Sequence, residues 1–239
     1  VPPRGEREAD VSGLDDRHGD EALQHAAGLA MRYLTGLDGV YALLDMDHTM
    51  FLGRRTSVVA YGEAVPGDRA SAIVERARWP KPDRVEGSFV GVNITHDGRL
   101  VLSTDHGWLV CLERDFSSYE AIQVSGAAEQ AAAHCARMEA ERGNTAYGWV
   151  RTSMCTDDEG GIYISSVDHT HRVVWTGEHL STDQADGAWS AEYRNGAGTG
   201  SGTTPSLMGF GDDEDRFVVI GDGDAVVTIT LLWRDEIPE

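Results

Sequence analysis

Histidine is the residue type whose placement in this sequence most readily suggests chemistry. His169 and His171 lie two apart in a run of strand character, which sets both imidazoles on one face. His96 and His106 belong to the preceding stretch, and His106 follows Asp105 as His169 follows Asp168. Neutral imidazoles from His96, His106, His169 and His171, converging with Asp168 or Asp105, would suit a divalent transition metal. The two Asp-His pairs also fall at corresponding places in two repeats. Turn chemistry shared by the repeats therefore accounts for them without a metal.

Other motifs are less specific. Asp212 to Asp215 and Asp222-Gly223-Asp224 offer oxygens of the kind calcium takes, but without EF-hand spacing they read as solvated turn carboxylates. The Gly-rich run 196–205 lacks the Gly-Lys-Ser/Thr ending of a phosphate loop and leads into a strand. No Gly-x-Ser-x-Gly elbow occurs to present a serine nucleophile. Cys111, Cys135 and Cys155 allow at most one disulfide and form no Cys-x-x-Cys pair. Cys111, inside Trp108-Leu109-Val110-Cys111-Leu112, reads as a small buried hydrophobe. Trp108, Trp175 and Trp233 sit on apolar strands and are expected in the packing. Trp79 and Trp189 fall in less regular stretches and are the tryptophans expected to bind a ligand.

Charge narrows the field of partners. Twenty basic residues against 40 acidic ones give a net charge of -20, and Lys81 is the only lysine. Such a surface repels phosphate backbones, so neither nucleic acid nor an anionic membrane is expected as a partner. No apolar run approaches the ~20 residues of a membrane-spanning helix, and the composition reads as soluble and globular. The first residue, Val1, is not Met, and a removed signal peptide, a processed precursor or a chain lacking its start would all look the same. A periplasmic or extracellular setting is slightly favoured over the cytoplasm.

The elements that must position these residues repeat along the chain. Residues 1–39 read as an acidic arm followed by a helix over 20–36, with Asp20 as N-cap. From residue 40 to 239 the pattern becomes short strands separated by acidic and Gly turns. Four units overlay, each with a strand, an acidic turn (Asp47, Asp97-Gly98, Asp158 to Gly160, Asp213 to Asp215), a β-rich strand, a polar turn and a third strand. Their second strands are predicted at 50–52, 100–102, 162–164 and 217–220. Insertions are expected at 64–85, 116–148 and 178–205, with helices over 68–78 and 127–142. Anchored on Thr49, Arg99, Gly161 and Arg216, the units are offset by 50, 62 and 55 residues. Meander units at such periods predict an all-β fold of propeller type, with four recognisable blades and helical insertions. The alternative, an ordinary β-sandwich with helical insertions, explains the strand alternation but not the repeated order of strand, acidic turn, strand, turn, strand.

The unit of apolar strand, acidic turn, short hydrophobic strand, Asp-containing turn and apolar strand resembles the blades of quinoprotein-like and lactonase-like β-propellers over residues 40–235. That resemblance implies a ring of six to eight blades with ligands at the mouth of a central channel. No adjacent Cys-Cys pair or tryptophan-docking pattern is present, so a quinone cofactor is not expected. The function read from the sequence is a small-molecule enzyme at the channel mouth, a metal-assisted hydrolase or lyase. The rival is a non-catalytic propeller serving as a binding or assembly subunit.

Four blades at this spacing fill the chain from residue 40 onward. An unclosed fan leaves apolar blade faces in water, which a soluble protein seldom tolerates. The expectation is that a second chain, a missing C-terminal part or a symmetric copy completes the ring.

Overall fold

The computed structural model describes residues 41–142 and 147–235. The arm and helix expected over residues 1–39 lie outside them. Among the described residues, sixteen short strands run in chain order, with one α-helix between the eighth and ninth. The first sheet is the meander β1 (Ala42–Leu44), β2 (Met50–Arg54), β3 (Ser57–Glu63) and β4 (Ile73–Pro80). The second is β5 (Phe89–Ile94), β6 (Leu100–Thr104), β7 (Trp108–Leu112) and β8 (Tyr119–Gln123). The third comprises β9 (Cys155–Thr156), β10 (Gly161–Ser165) and β11 (His169–Trp175). Its outer edge is divided between β12 (Leu180–Ser181) and β13 (Trp189–Glu192). The fourth is β14 (Ser206–Met208), β15 (Phe217–Gly221) and β16 (Ile229–Trp233).

Local chemistry explains the repeated turns. After β1, the Asp45 carboxylate accepts from the Asp47 and Thr49 backbone N–H groups. After β9, Asp157 accepts in the same i+2 and i+4 pattern from Glu159 and Gly161. A side chain that supplies these acceptors closes the hairpin without any tertiary contact. Gly160 adopts φ +82°, where a side chain would run into the carbonyl of Trp175.

The second strand of each unit falls where the sequence places it: β2, β6, β10 and β15 all lie second in their meanders. Alternation along them faces each sheet with two apolar surfaces. One face of the second sheet (Leu100, Leu102, Val110, Leu112) packs on Phe51, Val58 and Trp79 of the first. Its other face (Val101, Leu109, Cys111) packs on Ile162, Ile164, Val173 and Trp175 of the third. Tyr163, on the far side of the third sheet, meets Val218 and Ile220 of the fourth. Backbone bonds add to this stacking, with Phe89 N–H donating to Arg55 O and Val150 N–H to Asp105 O.

The insertion boundaries need correction. The stretch 64–85 contains β4, the outer strand of the first sheet, where a helix over 68–78 was expected. Seven of its eight residues, all but Trp79, are exposed, so it presents no alternating buried face to read. Likewise 116–148 contains β8, and 178–205 contains β12 and β13. The expected helix over 127–142 is α1 (Ala127–Arg142). Ala127, Ala131, His134 and Met138 form its buried stripe at helical spacing.

Candidate functional site

The turns between the second and third strands of the two central sheets carry the Asp-His pairs. In the β6–β7 turn, His106 Nδ1 lies 2.8 Å from Asp105 Oδ1, which also accepts from the Ser88 N–H at 2.8 Å. Two glycines from separate segments permit this packing. A Cβ on Gly87 would stand 2.6 Å from His106 Nδ1, and one on Gly148 would stand 2.5 Å from Asp105 Cβ. Helix α1 crosses the turn and sets Cys135 Sγ 3.9 Å from His106 Nδ1 and 3.6 Å from Asp105 O. The Asp105 hydrogen bond, followed by that of Cys135, pushes the His106 imidazole up to about 10, which makes it a cation at neutral pH. Asp105, His106, Cys135, Glu139, Tyr147 and Gly148 face a cavity of about 240 Å³.

In the next sheet, His169 Nδ1 lies 2.8 Å from Asp168 Oδ1. His171 is buried behind it, with ring centroids 5.9 Å apart, and meets Trp149 on another side at 5.8 Å. Its Nε2 lies 2.9 Å from Ser166 Oγ and its Nδ1 3.1 Å from Ser190 Oγ. Ser166 Oγ also lies 3.2 Å from the His169 carbonyl and accepts from the His169 N–H, which ties it into the same turn. Burial, and then the neighbouring His169, push His171 down to about 4, so it is neutral at physiological pH.

The structure does not gather the expected metal ligands. His96 is exposed in the β5–β6 turn, at the opposite end of β6 from His106. His106 and His169 are each tied to their own aspartate, and both nitrogens of His171 are engaged by hydroxyls. Among the described residues, no group of three or more His, Cys, Asp and Glu side chains is placed to hold a metal ion. The Asp-His pairs serve the turns that the two sheets share, and His171 serves the interior.

Trp79 also departs from expectation. It belongs to β4, is buried, and packs on Phe89 at 6.4 Å and Tyr119 at 5.2 Å. It is a core residue of the first two sheets. Trp189, on β13, lies 6.0 Å from Tyr163, and its indole N–H donates to Arg234 O. It borders a cleft of about 760 Å³ between β13 and β16, together with Arg172, Leu231, Trp233 and Arg234.

Sequence reasoning missed Cys135, Ser166, Ser190 and Arg172. Arg172 is buried and donates to Tyr163 OH at 3.0 Å and Gly187 O at 2.7 Å, while Tyr163 OH donates to Asp157 Oδ2 at 2.6 Å. Burial and the Asp157 carboxylate raise the Tyr163 phenol, which stays protonated. Only the cross-strand register of β11 and β13, which sets Ser190 opposite His171, could have signalled Ser190.

Successive antiparallel meanders, stacked face on face in chain order, define a protein of β-propeller type. No protein-family model matches the chain. An uncharacterized protein of Archaeoglobus fulgidus is 32% identical over 211 residues, 85% of this chain and 36% of that protein. The chain thus spans about a third of that relative's length. Among solved structures, a catalytically inactive virginiamycin B lyase from Staphylococcus aureus with quinupristin is similar at TM-score 0.46 and 9% identity, over 83% of this chain and 55% of the lyase. BamB from Moraxella catarrhalis is similar at TM-score 0.45 and 11% identity, over 81% and 47%.

Proposed function

We propose that this chain is an assembly and binding segment of a larger propeller, joined to the rest through the outer face of its fourth sheet. A difference between equivalent faces carries this reading. Phe51, Val101 and Tyr163 hold the same place on the second strands of the first three sheets, and each is buried against the sheet that follows. On the fourth sheet the corresponding face carries Met208, Val219, Ile229 and Leu231. Met208 is 50% exposed, Ile229 70% and Leu231 45%. Apolar side chains clustered this way on one sheet face mark an interaction surface. The partner whose chemistry fits is a further antiparallel meander with an apolar face, as at the other three sheets.

The test is association of the 239-residue chain followed by light scattering across a concentration series. Deprived of its partner, the face is expected to drive association and to bind an apolar dye. An Ile229→Glu/Leu231→Glu double variant should abolish both while leaving the circular dichroism unchanged. A wild-type chain that stays monomeric and binds no dye overturns the reading.

A second reading, a propeller enzyme acting on a small molecule, is favoured by one observation. The cavity beside His106 brings a cationic imidazole and a thiol to one opening at the turn end of the second sheet.

A further inference from the structure

Three cysteines occupy three environments. Cys111 is wholly buried in the second sheet, and burial pushes its thiol up to about 12. Cys155 sits on β9, half-buried, and burial likewise pushes its thiol up to about 12. Cys135 differs from both, because α1 carries it to the rim of a cavity with an imidazolium 3.9 Å from its sulfur. The pair Asp168-His169 at the corresponding turn of the next sheet has no thiol beside it within hydrogen-bonding distance. The thiol is therefore an addition to the shared turn, brought by a helix that follows the second sheet alone among the described residues.

We propose that Cys135 and His106 form a reactive thiol site for small, neutral, conjugated carbonyl compounds. The sulfur supplies a soft nucleophile, and a fixed cation beside it stabilises negative charge developing there. Asp105 holds that cation in place, and the Gly87 and Gly148 backbones close around the pair more tightly than any side chain would allow. The cavity's size limits the ligand to a small molecule. Glu139 on its wall, with a net chain charge of -20, disfavours anionic ligands.

In the reaction, sulfur bonds to the β-carbon of the ligand and the thiol proton leaves to solvent. The π pair moves toward the carbonyl oxygen, where His106 stabilises it, and the α-carbon then takes one proton from solvent. The net change is addition of S–H across the double bond, with His106 unchanged. This site is remote in the chain from the outer face of the fourth sheet, so failure of either proposal leaves the other standing.

The experiment treats the folded 239-residue chain with N-ethylmaleimide at pH 7 and follows each cysteine by peptide mass spectrometry. Cys135 should be labelled at least about tenfold faster than Cys155, with Cys111 unlabelled. His106→Asn and His106→Gln should each slow Cys135 by roughly fivefold or more. Ala136→Leu, an exposed position on the cavity wall, should also slow it and keeps the test decisive if neither His106 variant folds. Labelling of Cys135 no faster than Cys155, or unaffected by every folded variant, overturns the proposal.

Discussion

His171 is held between two serine hydroxyls, with Ser166 Oγ 2.9 Å from Nε2 and Ser190 Oγ 3.1 Å from Nδ1. Neither serine neutralises charge, so burial favours the neutral ring. The folded-state value of about 4 lies below the ordinary 6.5, so the unfolded chain takes up the proton first as pH falls. The stability this residue contributes is full above pH 6.5 and is lost as pH falls toward about 4. Urea midpoints measured from pH 7 to pH 4 should decline, and less so in a His171→Gln variant. Equal pH dependence in both proteins would show that this ring is not the cause.

His106 predicts the opposite window. Its folded-state value of about 10 lies above 6.5, so its contribution is full below pH 6.5 and disappears as pH rises through about 10. Asp105→Asn removes the leading cause of the shift. Imidazole proton resonances should titrate near 10 in the native chain and well below that in the variant.

Asp97 links two sheets. Its Oδ2 accepts from the Trp175 indole N–H at 2.8 Å, while the Arg99 guanidinium lies 4.7 Å over the same ring. Replacing Asp97 with Ala leaves a buried N–H unpaired and is expected to cost about 1–3 kcal/mol in urea unfolding. An unchanged midpoint would mean that water replaces the carboxylate at no cost.

Leu102 is fully buried on β6 between the first two sheets. Leu102→Ala should cost about 2–5 kcal/mol in denaturant unfolding, the range for an aliphatic side chain truncated in a core. A cost below about 1 kcal/mol would indicate that the interface between these sheets collapses around the gap.

The parts of the fold legible in the sequence are those with local causes. Asp45 and Asp157 close their hairpins from within five residues, and the helix over 127–142 follows from its run of helix formers. Strand β4 escaped because its exposed Glu75, Arg76 and Arg78 show a helix-compatible composition, and only pairing with β3 makes it a strand. The histidines were visible as residue types, but their partners were not. Cys135 lies 29 positions from His106, and no local spacing ties the two together. Trp79 was misread for the same reason, since its aromatic neighbours Phe89 and Tyr119 come from the following sheet.

The one-after-another order of the meanders has a consequence for how the molecule opens. Among the described residues every strand pairs with a chain neighbour, apart from the divided edge where β12 and β13 both join β11, and the core clusters join each sheet to the one that follows. Such a chain behaves as a linear array, in which stability is highest where a unit has two neighbours. Backbone amides of β6 and β10, flanked on both sides, should therefore exchange with deuterium most slowly. Those of β15 and β16, where Ile229 and Leu231 are exposed, should exchange through a separate and cheaper opening. Protection is thus expected to be graded along the polypeptide, and binding of a further meander would raise it from the fourth sheet inward.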